Sequence, residues 1–253
     1  MNLGNGAKAV VCQELTKVYA GASRPALDGL NISIRHGEVF GLLGPNGAGK
    51  TTTVSILSTL LRPTKGSVSI CGINAIKYPD QIKKMIGLVA QEIALYPDLT
   101  ARENLSYFGR LHGLKGQLLK HRICESLELV GLIEKADQRI TTYSGGMKRR
   151  ANLAAGILHQ PKILFLDEPT VGIDAQSRNM ILSKLALLNK NGATLIYTTH
   201  YMEEAEILCS RVAIIDKGRR IDQGTPQKLI ENNPDCANLG ELYLALTGKK
   251  LRD

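Results

Sequence analysis

Alternating stretches, continuous apolar runs and 3.6-residue repeats succeed one another along this chain in an order that predicts an α/β fold. From Val10 to Tyr19 and from Leu30 to Arg35, apolar and polar residues alternate as in half-exposed strands, and the first part reads as an antiparallel sheet. Glu38 to Leu43 is a short apolar run suited to a buried strand, and Thr53 to Leu61 places apolar side chains at helical intervals. After a turn at Arg62 to Gly66, Ser67 to Cys71 alternates again and is closed by Gly72. Pro79 to Met85 is expected to be helical, and Ile86 to Ala90 to be a buried strand that delivers Gln91 at its end.

The texture then changes. Ala101 to His112, Gln117 to Val130 and Gly145 to Leu158 repeat their apolar residues at i, i+3 and i+4, with breaks at Gly113 to Gly116 and at Gly131. The stretch from about 92 to 158 therefore reads as a helical insertion carried on the sheet. Ile163 to Leu166 is apolar throughout, as expected of a central strand buried on both faces. A helix is predicted from Ala175 to Asn189, a β-branched strand from Thr194 to Thr199, and a strand pair over Arg211 to Gly218 and Arg220 to Gly224. Helices at Pro226 to Glu231 and Leu239 to Leu246 form a tail from about 225 to 253. Strand and helix alternate as in a mostly parallel sheet, and the expectation is one domain over residues 1–253.

Composition narrows the class. With 253 residues, 43% of them hydrophobic, the chain can bury a substantial core. No apolar run approaches the ~20 residues needed to span a bilayer, and Met1 to Ala9 lacks the apolar stretch of a secretion signal. The expected location is the cytoplasm unless another protein holds the chain elsewhere. A net charge of +9 fits either a nucleic-acid surface or attraction to an anionic membrane leaflet and to acidic ligands such as nucleotides. Aromatic residues make up only 4%, whereas single-strand binding interleaves aromatics with positive charge. The five cysteines are odd in number and scattered, without a Cys-x-x-Cys pair, and read as reduced, packed thiols.

The strongest chemical signal is Gly44-Pro45-Asn46-Gly47-Ala48-Gly49-Lys50-Thr51-Thr52, between the predicted strand and helix. Glycines let the backbone curl so that N–H groups face phosphate oxygens, and the helix that follows offers its positive end to the same anion. Lys50 then sits on the β and γ phosphates, and Thr51 supplies a hydroxyl to Mg²⁺. The spacing of Gly44, Gly47 and Gly49 does not match a dinucleotide fingerprint, so a nucleoside triphosphate is the better ligand. Asp167 and Glu168 follow the apolar run from Ile163, where two carboxylates are costly unless employed. Asp167 can hold Mg²⁺ directly or through water, and Glu168 can polarise a water for attack on the γ-phosphate. Gln91 and His200 also stand at carboxyl ends of predicted strands, where α/β sheets bind ligands. Ser144 precedes Gly145-Gly146 as a natural N-cap and makes a second potential anion site. Tyr19 is either an ordinary strand-end aromatic or a ring that stacks on a purine.

Together, in this order, these segments resemble the ATP-binding cassette, or ABC, ATPases, over nearly the whole chain from about Val10. Gly44 to Thr52 matches the Walker A loop, Gln91 the Q-loop glutamine and Ser144-Gly145-Gly146 the core of the signature. Ile163 to Glu168 matches Walker B with its catalytic glutamate, Gly172 to Asp174 the D-loop, His200 the switch histidine and Tyr19 the adenine-stacking aromatic. The resemblance implies a RecA-like, mostly parallel core with an N-terminal antiparallel β-subdomain and an inserted α-helical subdomain. It also implies ATP and Mg²⁺ (held by Thr51, Gln91 and Asp167), a head-to-tail dimer of cassettes, membrane permease subunits as partners at the cytoplasmic face, and no direct substrate contact. The usual Leu-Ser-Gly-Gly-Gln reads Tyr143-Ser144-Gly145-Gly146-Met147 here, keeping the phosphate-facing Ser and glycines but not the Gln amide. Met147 to Arg150, Tyr96 to Leu105 and Gly240 to Gly248 are similar to exporter-type cassettes for drugs, antibiotics, sodium or polysaccharides. The alternative from another class is a soluble ABC ATPase acting on nucleic acid or ribosomes. A small GTPase is set aside, because Asn189-Lys190-Asn191-Gly192 lacks the Asp of the base-reading motif.

Overall fold

The computed structural model describes residues 7–248. Two sheets form the frame. One is antiparallel, in the order β2 (Leu27–Arg35), β1 (Lys8–Lys17), β4 (Lys65–Ile70), β5 (Ile73–Asn74). The other runs β10 (Arg219–Gly224), β9 (Arg211–Asp216), β3 (Val39–Leu43), β8 (Thr194–Thr199), β7 (Ile163–Asp167), β6 (Ile86–Val89). Its strands are parallel except for the edge strand β10, which is antiparallel to β9.

The central strands are apolar throughout because both of their faces are covered. Phe40, Leu42, Ile163, Phe165 and Ile196 point into the core shared with the antiparallel sheet and α1 (Lys50–Leu57). Their neighbours Val39, Leu43, Leu164, Leu166, Leu195 and Tyr197 point into the core on the opposite face. With a side-chain period of two, consecutive residues must serve opposite faces, so a polar alternation would have left one face unpacked.

The helical insertion consists of α3 (Ala101–Leu111), α4 (Gly116–Leu129) and α5 (Gly145–Ile157). The short α2 (Pro79–Lys83) precedes β6. A reciprocal cap starts α3, with Thr100 Oγ1 accepting from the Glu103 N–H and the Thr100 N–H donating to Glu103 Oε2. Glycines set how closely α5 approaches the sheet. A Cβ on Gly87 would lie 2.2 Å from the Gly156 carbonyl oxygen, and one on Gly156 would lie 2.6 Å from Val89 Cγ2.

Several expected boundaries shift. Strand β1 ends at Lys17, so Tyr19 follows the strand instead of ending it. Strand β4 starts at Lys65, and β9 stops at Asp216 because Lys217 (φ 50°) and Gly218 (φ 77°) turn the chain into β10. Helix α6 (Ala175–Lys190) stands as expected, but the sequence pattern does not single out α7 (Met202–Leu208), a single short stretch after β8. The tail contains α8 (Pro226–Glu231) and α9 (Leu239–Thr247); its expected extension to residue 253, like the N-terminal segment up to Gly6, lies outside the described residues. All five cysteines are free. Among the described residues, no helix is long and apolar enough to cross a membrane.

Candidate active site

Strand β3 is flanked by β8 and β9, so its carboxyl end opens the phosphate loop at the middle of the parallel sheet. Gly44 passes so close to β9 that a Cβ there would lie 2.3 Å from the Ile215 carbonyl oxygen. Within the loop, the Ala48 N–H donates to the Pro45 carbonyl at 3.1 Å, and the Gly218 N–H donates to the Ala48 carbonyl at 2.9 Å. Gly49 stands at φ 105° as the N-cap of α1, and no side chain caps that helix. The first amides of α1 therefore keep their hydrogen-bonding capacity, with the positive end of the helix dipole behind them.

Lys50, the first residue of α1, is 4% exposed. Its Nζ donates to the carbonyls of Gly44 (2.8 Å) and Pro45 (3.2 Å) and pairs with Glu168 Oε1 at 2.8 Å. A cleft of about 390 Å³ lies over this group, lined by Pro45, Asn46, Gly47 and Gly49 to Thr52, with Ala26, Gln91 and Glu168. Ala48 is buried beneath the loop. Tyr19 is exposed, and its hydroxyl lies 3.3 Å from Thr52 Oγ1, so the ring stands at the rim of the same loop with Lys17 Nζ 5.4 Å from its centroid.

Two neighbouring strands deliver the carboxylates. Asp167 is the last residue of β7, and its Oδ1 accepts from Thr198 Oγ1 at 2.6 Å. Glu168 turns out of the strand at φ 46°, a left-handed conformation that costs roughly 1–3 kcal/mol for a non-glycine residue. That turn is held by the Glu168 N–H, which donates to both the hydroxyl (3.0 Å) and the carbonyl (3.2 Å) of Thr198. The carboxylate meets Lys50 with one oxygen, while its Oε2 lies 3.2 Å from His200 Nδ1 and accepts from Gln91 Nε2 at 3.4 Å. Burial pushes the Glu168 carboxyl up; the hydrogen bond and charge of Lys50, joined by His200, outweigh it and leave the group below its ordinary value.

The second helix end lies elsewhere. Ser144 caps α5, its Oγ accepting from the Met147 N–H at 3.3 Å. Ser144 and Gly145 are exposed, and none of Ser144, Gly145 and Gly146 lines the cleft over Lys50. Gly146 is buried against α6, where a Cβ would fall 2.3 Å from Ser177 Oγ. Asp174 caps α6, accepting from the Ser177 N–H and hydroxyl, both at 2.8 Å. Met147 packs against the core, taking an apolar role where the related signature carries an amide. The same helix α5 is tied to the chain beyond β6, since Arg149 donates to the Gln91 carbonyl and Asn152 Nδ2 to the Ala90 carbonyl.

Thus Lys50, Glu168, Gln91 and His200 meet in one cluster, Thr51 and Thr52 line the cleft, Tyr19 borders it, and Asp167 joins through Thr198. Thr198 and Ala26 were not picked out from the sequence. The only signal for Thr198 is its place two residues before His200 in a strand that ends beside β7. The oxygen donors Thr51, Gln91 and Asp167 suit Mg²⁺, which is held by one or two carboxylates together with phosphates and water rather than by an all-protein cage.

Known proteins resemble this chain in both sequence and fold. The ABC transporter family pattern matches residues 27–171. The linearmycin resistance ATP-binding protein LnrL of Bacillus subtilis is 48% identical over 228 residues, covering 90% of this chain and 71% of that protein. The doxorubicin resistance ATP-binding protein DrrA of Mycobacterium tuberculosis is 43% identical over 249 residues, 98% of this chain and 73% of its own. The Nod factor export ATP-binding protein I of Burkholderia orbicola is 43% identical over 217 residues, 86% and 71% respectively. Among solved structures, an ATP-binding subunit of an ABC transporter superposes with a TM-score of 0.84 at 26% identity, covering 94% of this chain and 99% of that one. A dimeric ATP-binding cassette in a post-hydrolysis state with ADP and Pi superposes with a TM-score of 0.79 at 28% identity, over 85% and 98%. The fold is accordingly that of an ABC ATPase, and the chain is a member of the ABC transporter family, an ATP-binding subunit that hydrolyses ATP.

Proposed function

We propose that this chain powers an exporter: two cassettes close head to tail over two ATP molecules and pull on separate permease subunits. The observation that carries the dimer is the separation of the two anion-facing helix ends, one over a cleft at Lys50 and the other exposed at Ser144, away from that cleft. A second cassette turned end for end brings its Ser144, Gly145 and Gly146 onto the γ-phosphate bound at Lys50. Export is supported by the names of the relatives, which are resistance and export ATP-binding proteins. Permease docking is supported by exposed apolar side chains on the helical insertion and the segment before it: Tyr96, which packs against Tyr107 of α3, and Leu111 one turn further along that helix. The chain is then peripheral at the cytoplasmic face, where a charge of +9 favours an anionic leaflet, and residues 1–253 serve as one nucleotide-binding domain.

Within the cleft, Lys50 exchanges Glu168 for the β and γ phosphates, and the loop amides from Gly47 to Thr52 face the same oxygens. Tyr19 covers the adenine. Thr51, Gln91 and Asp167 would hold Mg²⁺, which would supply positive charge to the phosphates when bound. His200 keeps its Nδ1 near Glu168 and turns its other ring nitrogen to the γ-phosphate. As Lys50 turns to the phosphates, the larger of the two influences that hold the Glu168 carboxyl down is weakened and its proton affinity rises, which improves it as a general base. Glu168 then takes the proton of a water whose oxygen attacks the γ phosphorus. The bond to the β-γ bridging oxygen breaks, ADP and inorganic phosphate result, and the link between the cassettes is lost.

The test is coupling. Purified chain reconstituted with a candidate permease should show ATPase activity and ATP-dependent efflux, and should reach membranes only when that permease is present. Tight binding to nucleic acid at physiological salt without permease association would overturn the reading.

A further inference from the structure

Besides Asp167 and Glu168, the described structure contains a third buried carboxylate, with an unusual set of donors. Glu204, in the α7 helix missed from the sequence, is 3% exposed. Three hydroxyls converge on its Oε2: Tyr197 at 2.7 Å, Thr170 at 3.0 Å and Thr199 at 3.0 Å. Its Oε1 lies 3.4 Å from Arg178 Nε. A buried carboxylate is expensive without partners, and the mechanism above makes no use of this one.

The donors come from two segments that matter for ATP hydrolysis. Thr170 stands two residues after Glu168, and Arg178 stands one turn after Asp174, so Glu204 holds the turn between β7 and α6 at both ends. Thr199 also accepts from the Tyr201 N–H at 2.9 Å, which brackets His200 between two residues of one hydrogen-bonded turn. The Arg178 guanidinium lies 5.1 Å from the Tyr201 ring centroid, and that ring packs against the His200 ring at 4.1 Å. His200 in turn reaches Glu168.

We propose that Glu204 is a positioning residue for ATP hydrolysis, locking the Glu168–Asp174 turn and the His200 turn into one arrangement. It touches neither nucleotide nor attacking water; it acts through Thr199 and Tyr201 on His200, and through Thr170 and Arg178 on the turn that faces the second cassette. The inference rests on the roles of Glu168 and His200 proposed above.

Steady-state ATP hydrolysis by the full chain tests it. Glu204→Gln should lower kcat by about 10- to 100-fold, the usual cost of loosening groups that orient a reacting one, with the KM for ATP within about twofold of wild type. The loss in His200→Ala/Glu204→Gln should fall well short of the product of the two single losses, since the part of Glu204 that acts through His200 has nothing left to position. Thr199→Val should lose several-fold in kcat and Thr199→Ser should regain it; this pair decides the matter if Glu204→Gln does not fold. An unchanged kcat in Glu204→Gln, multiplied losses in the double variant, or equal rates for Thr199→Val and Thr199→Ser would overturn the proposal. Failure of the underlying reading has a different sign: His200→Ala would then hydrolyse ATP at the wild-type rate.

Discussion

Helices α1 and α5 each begin at glycines and each can present backbone amides to an anion, yet they are built in opposite ways. The α1 end lies at the middle of the parallel sheet, behind a buried Lys50, and its N-cap is a glycine that offers no side chain to the free amides. The α5 end is exposed, capped by its own Ser144, and carried on the helical insertion. Neither helix has an acidic residue in its first turn, but at α1 the buried Lys50 is paired with Glu168 from the neighbouring strand end. An anion site that must work within one chain needs a cation and a cavity, and α1 has both. A site that receives a ligand held by another subunit needs an exposed helix end, and α5 has one.

The largest effect that would test this contrast comes from the base. Glu168→Gln keeps shape but cannot take a proton, so hydrolysis measured by phosphate release should fall by about 10²- to 10⁴-fold. If the α5 end closes the site, that variant should elute as a dimer with Mg²⁺-ATP and as a monomer with ADP. Adding Ser144→Arg should abolish the dimer while leaving nucleotide binding intact; a dimer that persists removes the proposed role of α5. Lys50→Ala should act on the other end alone. Charge-assisted hydrogen bonds contribute about 1.5–3 kcal/mol, so the Kd for ATP in a fluorescence titration should weaken by roughly 10- to 100-fold.

Tyr19 sharpens the picture at the rim. Stacking on a base contributes about 1–3 kcal/mol, so Tyr19→Ala should weaken ATP binding by about tenfold. Tyr19→Phe should stay near wild type because it gives up only the exposed contact with Thr52; equal losses in both would remove the stacking role. The smallest effect is expected from Ser144→Ala, which deletes the cap on Met147. Loss of an N-cap costs about 1 kcal/mol, visible as a few degrees in thermal unfolding without a change in the affinity of the monomer for ATP.

Much of this architecture is written locally in the chain. The run from Val39 to Leu43, the glycines of the loop and the helix after Lys50 announce a strand, a phosphate loop and a helix because each depends on periodicity and backbone freedom over a few residues. The same holds for the buried strand that ends in Asp167 and for the cap at Ser144. What the sequence alone did not determine is which side chains touch. Thr198 joins Asp167 to Glu168 across 30 residues, and Glu204 gathers Thr170, Tyr197, Thr199 and Arg178 from a helix too short to register as a repeat. Such contacts follow from the order of strands in the parallel sheet, where β7 and β8 lie side by side although α6 separates them along the chain. Hydrophobic pattern and turn chemistry act over a few residues and so can be read from the chain itself; the pairing of buried polar groups depends on which strands become neighbours, and only the packed tertiary structure decides that.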